Sequence, residues 1–314
     1  KAKDACDAFA KEIYARSFLW LVRQINDATC AENNYSGNVS SGFGVIGLLD
    51  IFGFESFKTN GFEQLCINYA NEMLQQKFTQ DIFTAVLAEY KYEGIQLDEI
   101  TYDDNTAVLD LIEGRSGLLA MLNEECFRPN GNDATFVRKA VLTNKASPCL
   151  ICEKVYGNHE FGIKHYAGQV MYDAEGCVTK NTDQIPFDLK EMAKKSTNEI
   201  IAKHLGNDQM ANDERKQSVS PSRLIKSRTS STLSQSSGRK NKGSNTIVGV
   251  TVLTKFKTQL NSLMGKLAET QTRYIRCIKP NTVKSPLLME HLPTVEQLRC
   301  AGVVAAVTIS RSSF

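Results

Sequence analysis

The sequence predicts a helix-rich α/β protein. Three observations point there. The stretch from Phe62 to Glu93 carries apolar residues at helical spacing and contains neither Gly nor Pro. Val45-Ile46-Gly47-Leu48-Leu49 is a short apolar run suited to a strand buried on both faces. Residues 151–173 alternate in strand fashion around Gly157, Gly162 and Gly168. With 314 residues, 42% apolar and 23% charged, the chain can bury a sizeable core, and its length suits two domains or one large irregular one. The 37 Lys and Arg against 35 Asp and Glu leave a net charge of +2. That balance excludes the global basic bias of a nucleic-acid coat and the acidity of a solvating tail. No run approaches the roughly 18 apolar residues of a membrane span, and Lys1 to Asp7 reads as charged helix rather than a signal peptide. Nine cysteines at irregular spacing fit a reducing compartment better than a disulfide framework, so the expectation is a cytoplasmic protein.

Taken in order, Ala2, Cys6, Phe9, Ile13, Leu21 and Ile25 predict an amphipathic helix over 1–26, which opens without a capping residue as though the chain began in mid-structure. Asn33 to Gly44 reads as a loop. Asn60, with Glu63 three residues on, is a candidate N-cap for the long helix, about 48 Å if continuous at 1.5 Å per residue. Phe62, Leu65, Tyr69, Met73, Phe78, Ile82, Val86 and Tyr90 keep one side of it apolar, and Gly94 stops it. Three short helices follow over 105–142, broken at Gly114 and at Phe127-Arg128-Pro129-Asn130-Gly131. Further helices are expected near 188–205 and 253–269, a strand at Tyr274 to Ile278, and a last helix opened by Pro293 and Thr294 with Gln297 completing a capping box.

The segment from Arg215 to Asn245 differs in kind. Its 31 residues include eight Lys or Arg, no acid, ten Ser and four apolar residues, so it cannot bury itself and should be mobile. Because it carries +8 against the chain's +2, the other 283 residues carry −6. Composition leaves open whether it is a solvated linker or a cationic loop that captures an acidic surface.

For chemistry, the sharpest signal is Leu48-Leu49-Asp50-Ile51-Phe52-Gly53-Phe54-Glu55: an apolar strand, then an Asp, a Gly and a Glu. An Asp at the carboxyl end of a buried strand is placed to hold Mg²⁺ through water, and a Gly just beyond lets a backbone N–H approach a phosphate. On spacing alone a purely structural role is the favoured reading. No G-x-x-x-x-G-K-[ST] cradle occurs: Gly265-Lys266 is followed by Leu267. Cys149, Cys152, His159 and His165 are zinc-ligand residue types, but the spacing between the pairs is shorter than in zinc fingers, so no metal site is assigned.

The string Leu49-Asp50-Ile51-Phe52-Gly53-Phe54-Glu55-Ser56-Phe57, continued through Asn60-Gly61-Phe62-Glu63-Gln64-Leu65-Cys66-Ile67-Asn68-Tyr69-Ala70-Asn71-Glu72 to Leu74-Gln75-Gln76, resembles switch II and the relay helix of myosin motor domains. Phe161 to Val170, Leu263-Met264 with Tyr274-Ile275-Arg276-Cys277-Ile278-Lys279-Pro280-Asn281, and Gln297 to Val303 resemble further motifs of that family, in its order and over nearly the whole chain. The resemblance implies part of the P-loop-related motor fold with an incomplete central sheet. It implies switch II at 45–57, the relay helix at 60–93, a lower actin-binding subdomain at 105–205, a basic surface loop at 208–246, a helix and central-sheet strand at 247–280, and a truncated thiol-helix region at 294–314.

The same resemblance implies roles. Asp50 would help hold Mg²⁺, the Gly53 amide would meet the γ-phosphate of ATP, and Glu55 would pair with an Arg of switch I, a segment absent from this sequence. Actin contacts would come from Leu118, Leu119, Met121 and Lys139, from Arg239, Lys240 and Lys242 in the basic loop, and from Leu263, Met264, Arg276 and Lys279. For Leu118, Leu119 and Met121 a core role is equally open. Cys300 would match a reactive thiol, while the position ten residues on is Ser310. The implied protein is an ATP-driven motor of the actin cytoskeleton, from an unconventional myosin. It would be completed by an N-terminal motor half, a converter and light chains. The competing expectation is an actin-binding or inactive fragment with no ATPase of its own; a kinesin relative is disfavoured by the motifs at 161–170 and 274–281. A strand at 45–50 without its neighbours should leave edges and apolar surface exposed.

Overall fold

The computed structural model describes residues 2–29, 46–94, 105–151, 159–182, 187–198, 201–202, 251–304 and 307. The chain divides into two compact units. One holds Lys1–Ile46 and Gln184–Gly249, the other Gly47–Asp183 and Val250–Phe314. In the first, α1 (Ala2–Thr29) is a 28-residue helix braced by an Arg16–Glu12 ion pair at 2.8 Å. Its apolar residues Tyr14, Phe18, Leu21 and Ile25 are exposed. The helix expected near 188–205 is interrupted: α7 (Phe187–Lys194) gives way to turns and bends over 195–198, and 201–202 are helical again.

The second unit is built around α2 (Phe62–Glu93), 32 residues without a breaker, ended by Gly94 at φ +72°, a conformation that costs glycine little. Its start differs from the expected cap. Asn60 is buried and gives its side chain to the backbone of Phe57 and Met171, while Gln64 Oε1 accepts the Gly61 N–H at 3.0 Å. The three short helices are as expected: α3 (Thr106–Glu113), α4 (Leu118–Phe127) and α5 (Asp133–Thr143), the last capped by Asn132, whose side chain accepts from the Thr135 N–H. A three-stranded antiparallel sheet follows in the order β1 (Leu150–Ile151), β2 (Glu160–His165), β3 (Gly168–Asp173), with Phe161 opposite Tyr172 and Ile163 opposite Val170. Then come α6 (Cys177–Thr182), α8 (Val252–Ala268) and α9 (His291–Cys300).

The core joins α2 through Phe62, Leu65, Tyr69 and Ala70 to α3, α4, α5, the sheet and α8. Phe161 bridges layers, edge-on to Phe136 of α5 at 5.9 Å and stacked on Tyr172 at 5.6 Å. Buried Asn181 ties α6 to its neighbours: it donates to Asn123 Oδ1 and accepts the Leu253 N–H, both at 2.9 Å.

Three expectations are corrected. Residues 46–50 form no strand, and Ile46, Leu48 and Phe52 are 94%, 92% and 73% exposed. Residues 274–278 likewise join no ladder, and Ile275 is exposed. A strand buried on both faces exists only if flanking strands accept its backbone, and none among the described residues does. The last helix begins at His291 rather than Pro293. Pro293 still fits its first turn, where no intrahelical donor is required, and Gln297 turns away from capping to Lys279.

Candidate functional site

The loop 50–57 carries the residues with the sharpest chemical signal, and side-chain amides hold it against α2. Asn68, two turns into the helix, accepts the Glu55 N–H on Oδ1 at 2.9 Å and donates Nδ2 to the Glu55 carbonyl at 2.8 Å. It thus pairs with the Glu55 backbone as a neighbouring strand would. Asn71 donates to the Phe52 carbonyl at 3.0 Å, and Asn60 bonds both the N–H and the carbonyl of Phe57. Gln64 Nε2 reaches Glu55 Oε2 at 3.3 Å. Gln64, Asn68 and Asn71 fall on one helical stripe by their spacing, so the same face of α2 supplies all three amides.

Behind Asn68 lies a buried polar chain. Asn68 Nδ2 donates to the Tyr172 hydroxyl at 2.8 Å. That hydroxyl meets His165 Nε2 at 2.8 Å, and His165 Nδ1 meets Glu72 Oε1 at 2.8 Å. Glu72 also accepts the Tyr166 N–H at 3.1 Å on Oε1 and the Asn105 amide on Oε2. Glu72's other partners are donors, so His165 turns an Nδ1–H to Glu72, and in the neutral ring Nε2 then accepts the Tyr172 hydroxyl. Burial pushes the Tyr172 phenol above its ordinary range, which keeps that proton in place. Asn68, Glu72, His165 and Tyr172 are buried, so each donor here must be matched or the fold loses stability. Phe54 packs edge-on against His165 at 5.2 Å and Tyr166 at 5.5 Å, which seats the loop on this chain.

Asp50 and Gly53 are exposed, and a Cβ at Gly53 would meet nothing within 4 Å. The structure thus brings Glu55 to α2 and leaves Asp50 and Gly53 outward. Glu55, Phe54, Phe57, Gln169, Arg299 and Cys300 line a cavity of about 630 Å³ between the loop, the β2–β3 turn and α9. Tyr166 ties the β2–β3 turn to α9, donating its hydroxyl to the Cys300 carbonyl at 2.8 Å. Burial pushes the Cys300 thiol up, the opposite of an activated thiol. Both ring nitrogens of His165 are taken by Tyr172 and Glu72, and no group of three His, Cys, Asp or Glu among the described residues could hold a metal. Cys152 lies outside the described residues.

The expected actin contacts divide. Leu118, Leu119 and Met121 are buried in the core at 0%, 4% and 4% exposure. Lys139 is ion-paired with Glu124, and holds that carboxyl below its usual range. Leu263 is half-buried, and Met264 packs against the core. Arg276 lies 4.6 Å from the Phe78 ring centroid. Lys279 is exposed, with its backbone clamped by Gln297, which accepts the N–H at 2.7 Å and donates to the carbonyl at 2.9 Å. Arg239, Lys240 and Lys242 lie outside the described residues.

Sequence reasoning missed the amides. The available signal was an amide at each position of one helical stripe, Gln64-Asn68-Asn71, preceded by Asn60.

Known proteins place the chain. The family described as myosin head (motor domain) matches residues 1–314. Myosin-2 of Arabidopsis thaliana is 39% identical over 315 residues, covering 100% of this chain and 23% of that protein. Myosin-52 of Schizosaccharomyces pombe is 37% identical over 99% of this chain and 19% of its own length. Unconventional myosin-XIX of Xenopus laevis is 37% identical over 98% and 29%. The chain therefore spans less than a third of the length of these relatives, and with a family match from its first residue to its last it belongs to the myosin head family.

Proposed function

We propose that the chain is part of an ATP-driven motor that works on filamentous actin in the cytoplasm, and that the loop 50–57 senses nucleotide and passes its position to α2. The observation that carries this reading is the Asn68 clamp. Because both backbone groups of Glu55 are bound by one side chain of α2, a shift of the loop by an ångström must either break two hydrogen bonds or displace the helix. Asp50 would face a metal-bound water and the Gly53 N–H a terminal phosphate; both are exposed. One carboxylate and one amide cannot hold Mg-ATP, so no hydrolytic step is assigned to this chain by itself. The remaining phosphate contacts, and the Arg expected opposite Glu55, would come from sequence outside these residues. On the actin side, Lys279 and the basic loop with Arg239, Lys240 and Lys242 are the candidates that bring exposed or cationic groups. Each exposed pair would contribute little, so binding through the loop should be collective and salt-sensitive.

Co-sedimentation with filamentous actin tests this reading. The chain should sediment with actin at low salt and release as salt rises, and removal of 215–245 should weaken the low-salt binding. Equal binding with and without the loop would remove its role, and no actin-dependent sedimentation at any salt would remove actin as the partner.

A further inference from the structure

Beyond its attachment at Asn68, α2 has a further polar attachment in its second half, at Asp81. Tyr274 donates its hydroxyl to Asp81 Oδ2 at 2.6 Å. Asp81 is held in turn by Lys77, whose Nζ lies 3.0 Å from Oδ1 and 2.9 Å from Oδ2. One turn away the Tyr274 ring packs edge-on against Phe78 at 4.7 Å, and the Arg276 guanidinium covers the same Phe78 ring at 4.6 Å. Phe78 is buried but stands apart from the continuous core that holds the first half of the helix at Phe62, Leu65, Tyr69 and Ala70. Its cover comes from a segment, 271–280, that belongs to no helix or strand.

The ion pair is not explained by the helix alone. Lys four residues before Asp is the less favourable order for the helix dipole, so an isolated helix gains little from it. Its geometry serves another purpose, because Lys77 fixes the Asp81 carboxylate with Oδ2 pointing at the Tyr274 hydroxyl. The short O–H···O⁻ distance marks the charge-assisted kind of hydrogen bond. Burial, and then the Asp81 acceptor, push the Tyr274 phenol above its ordinary range, so the proton stays on tyrosine.

We propose that Tyr274 is a positioning residue whose hydroxyl, received by Asp81, fastens the distal half of α2 to the segment 274–276, so that helix and segment shift as one body. The consequence for a motor rests on the reading of α2 as the element that the loop 50–57 moves. A displacement entering at Asn68 would then leave through Tyr274 toward Lys279. The fastening itself involves neither nucleotide nor actin, and can be tested without either.

Hydrogen exchange by mass spectrometry on the full chain, without nucleotide or actin, provides the test. Tyr274→Phe keeps the ring against Phe78 and removes one hydroxyl. It should speed exchange of amides in 76–83 about tenfold, the scale of one charge-assisted bond, and leave 106–143 and 160–173 unchanged. Asp81→Ala should do the same, and the double variant should add nothing to either single change. Asp81→Asn keeps a neutral acceptor for the hydroxyl and should restore part of the protection that Asp81→Ala loses. A silent Tyr274→Phe would mean that ring packing alone covers Phe78. Faster exchange throughout the chain would mean that the hydroxyl serves general stability. Either result overturns the proposal while leaving the actin and nucleotide reading to its own assay.

Discussion

The hairpin Glu160–Asp173 and the loop 47–57 belong to the same unit, and their backbones are secured by different means. In the hairpin, backbone pairs with backbone over six consecutive residue pairs from Glu160–Asp173 to His165–Gly168, and Phe161, Ile163, Val170 and Tyr172 close over a common core. In the loop, backbone pairs with asparagine side chains at Phe52, Glu55 and Phe57, and the apolar residues before Phe54 stay in solvent. A ladder is cooperative, since each bond depends on its neighbours. A set of side-chain clamps comes undone one at a time, so the loop can change position while the hairpin holds its shape.

The largest effect expected from this contrast is a difference between two phenylalanines. Phe161→Ala empties a site that is 1% exposed and removes the contacts to Phe136 and Tyr172, at a cost of about 3–5 kcal/mol. Phe52→Ala acts on a side chain that is 73% exposed and should stay within about 0.5 kcal/mol. Urea midpoints at unchanged m-value measure both. A comparable loss in the two variants would mean that the loop is packed as firmly as the hairpin.

Next in size is the clamp. Asn68→Ala removes three hydrogen bonds, two from the Glu55 backbone and one from the Tyr172 hydroxyl. The expected cost is about 1–3 kcal/mol, because partners lose satisfaction while little apolar volume is removed. Chymotrypsin, which cuts after aromatic residues, should cleave after Phe52, Phe54 or Phe57 much faster in the variant than in the parent, with the hairpin still resistant. Unchanged cleavage would show that Asn60 and Asn71 suffice to hold the loop.

The contrast also accounts for what the sequence made legible. Helix periods are local, so α2 to α5 and α8 were readable from spacing within each segment, with Gly94 and Gly114 as stops. The hairpin was readable because its two strands alternate and lie next to each other. The run 45–49 and the segment 274–278 have equally good strand composition, but a strand needs neighbours, and composition does not supply them. Leu118, Leu119 and Met121 are ambiguous in sequence because an apolar residue suits a core and a binding surface alike, and the structure places them in the core. The buried chain from Asn68 to Glu72 was not legible at all, since it joins residues such as Asn68 and Tyr172 that lie 104 positions apart. Lys77, Asp81 and Tyr274 escaped for the same reason, as their meeting spans 193 positions.

The smallest effect at neutral pH concerns cysteines, and it grows as pH rises. Burial pushes the thiols of Cys66 on α2 and Cys177 at the hairpin's exit up to about 12, against an ordinary value of 9.0. Below pH 9 these thiols are neutral in both folded and unfolded chains and favour neither. Between pH 9 and 12 the unfolded chain releases their protons while the folded chain retains them, so stability falls as pH rises through that window. The phenols of buried Tyr69 and Tyr172 and of half-buried Tyr166 are also pushed up and add a loss of the same sign, beginning near their ordinary value of 10.0. Cys66→Ala should therefore flatten the pH dependence of the urea midpoint between pH 9 and 10, ahead of the phenols. Thiol labelling at pH 8 separates the regions kinetically. Cys277, exposed in the segment 271–280, should react at the rate of a free thiol, and Cys177 should react only as the fold opens. If Cys177 matched Cys277, the packed region around the hairpin would open as readily as the segment that lacks a ladder, and the difference between the two kinds of backbone support would not hold in solution.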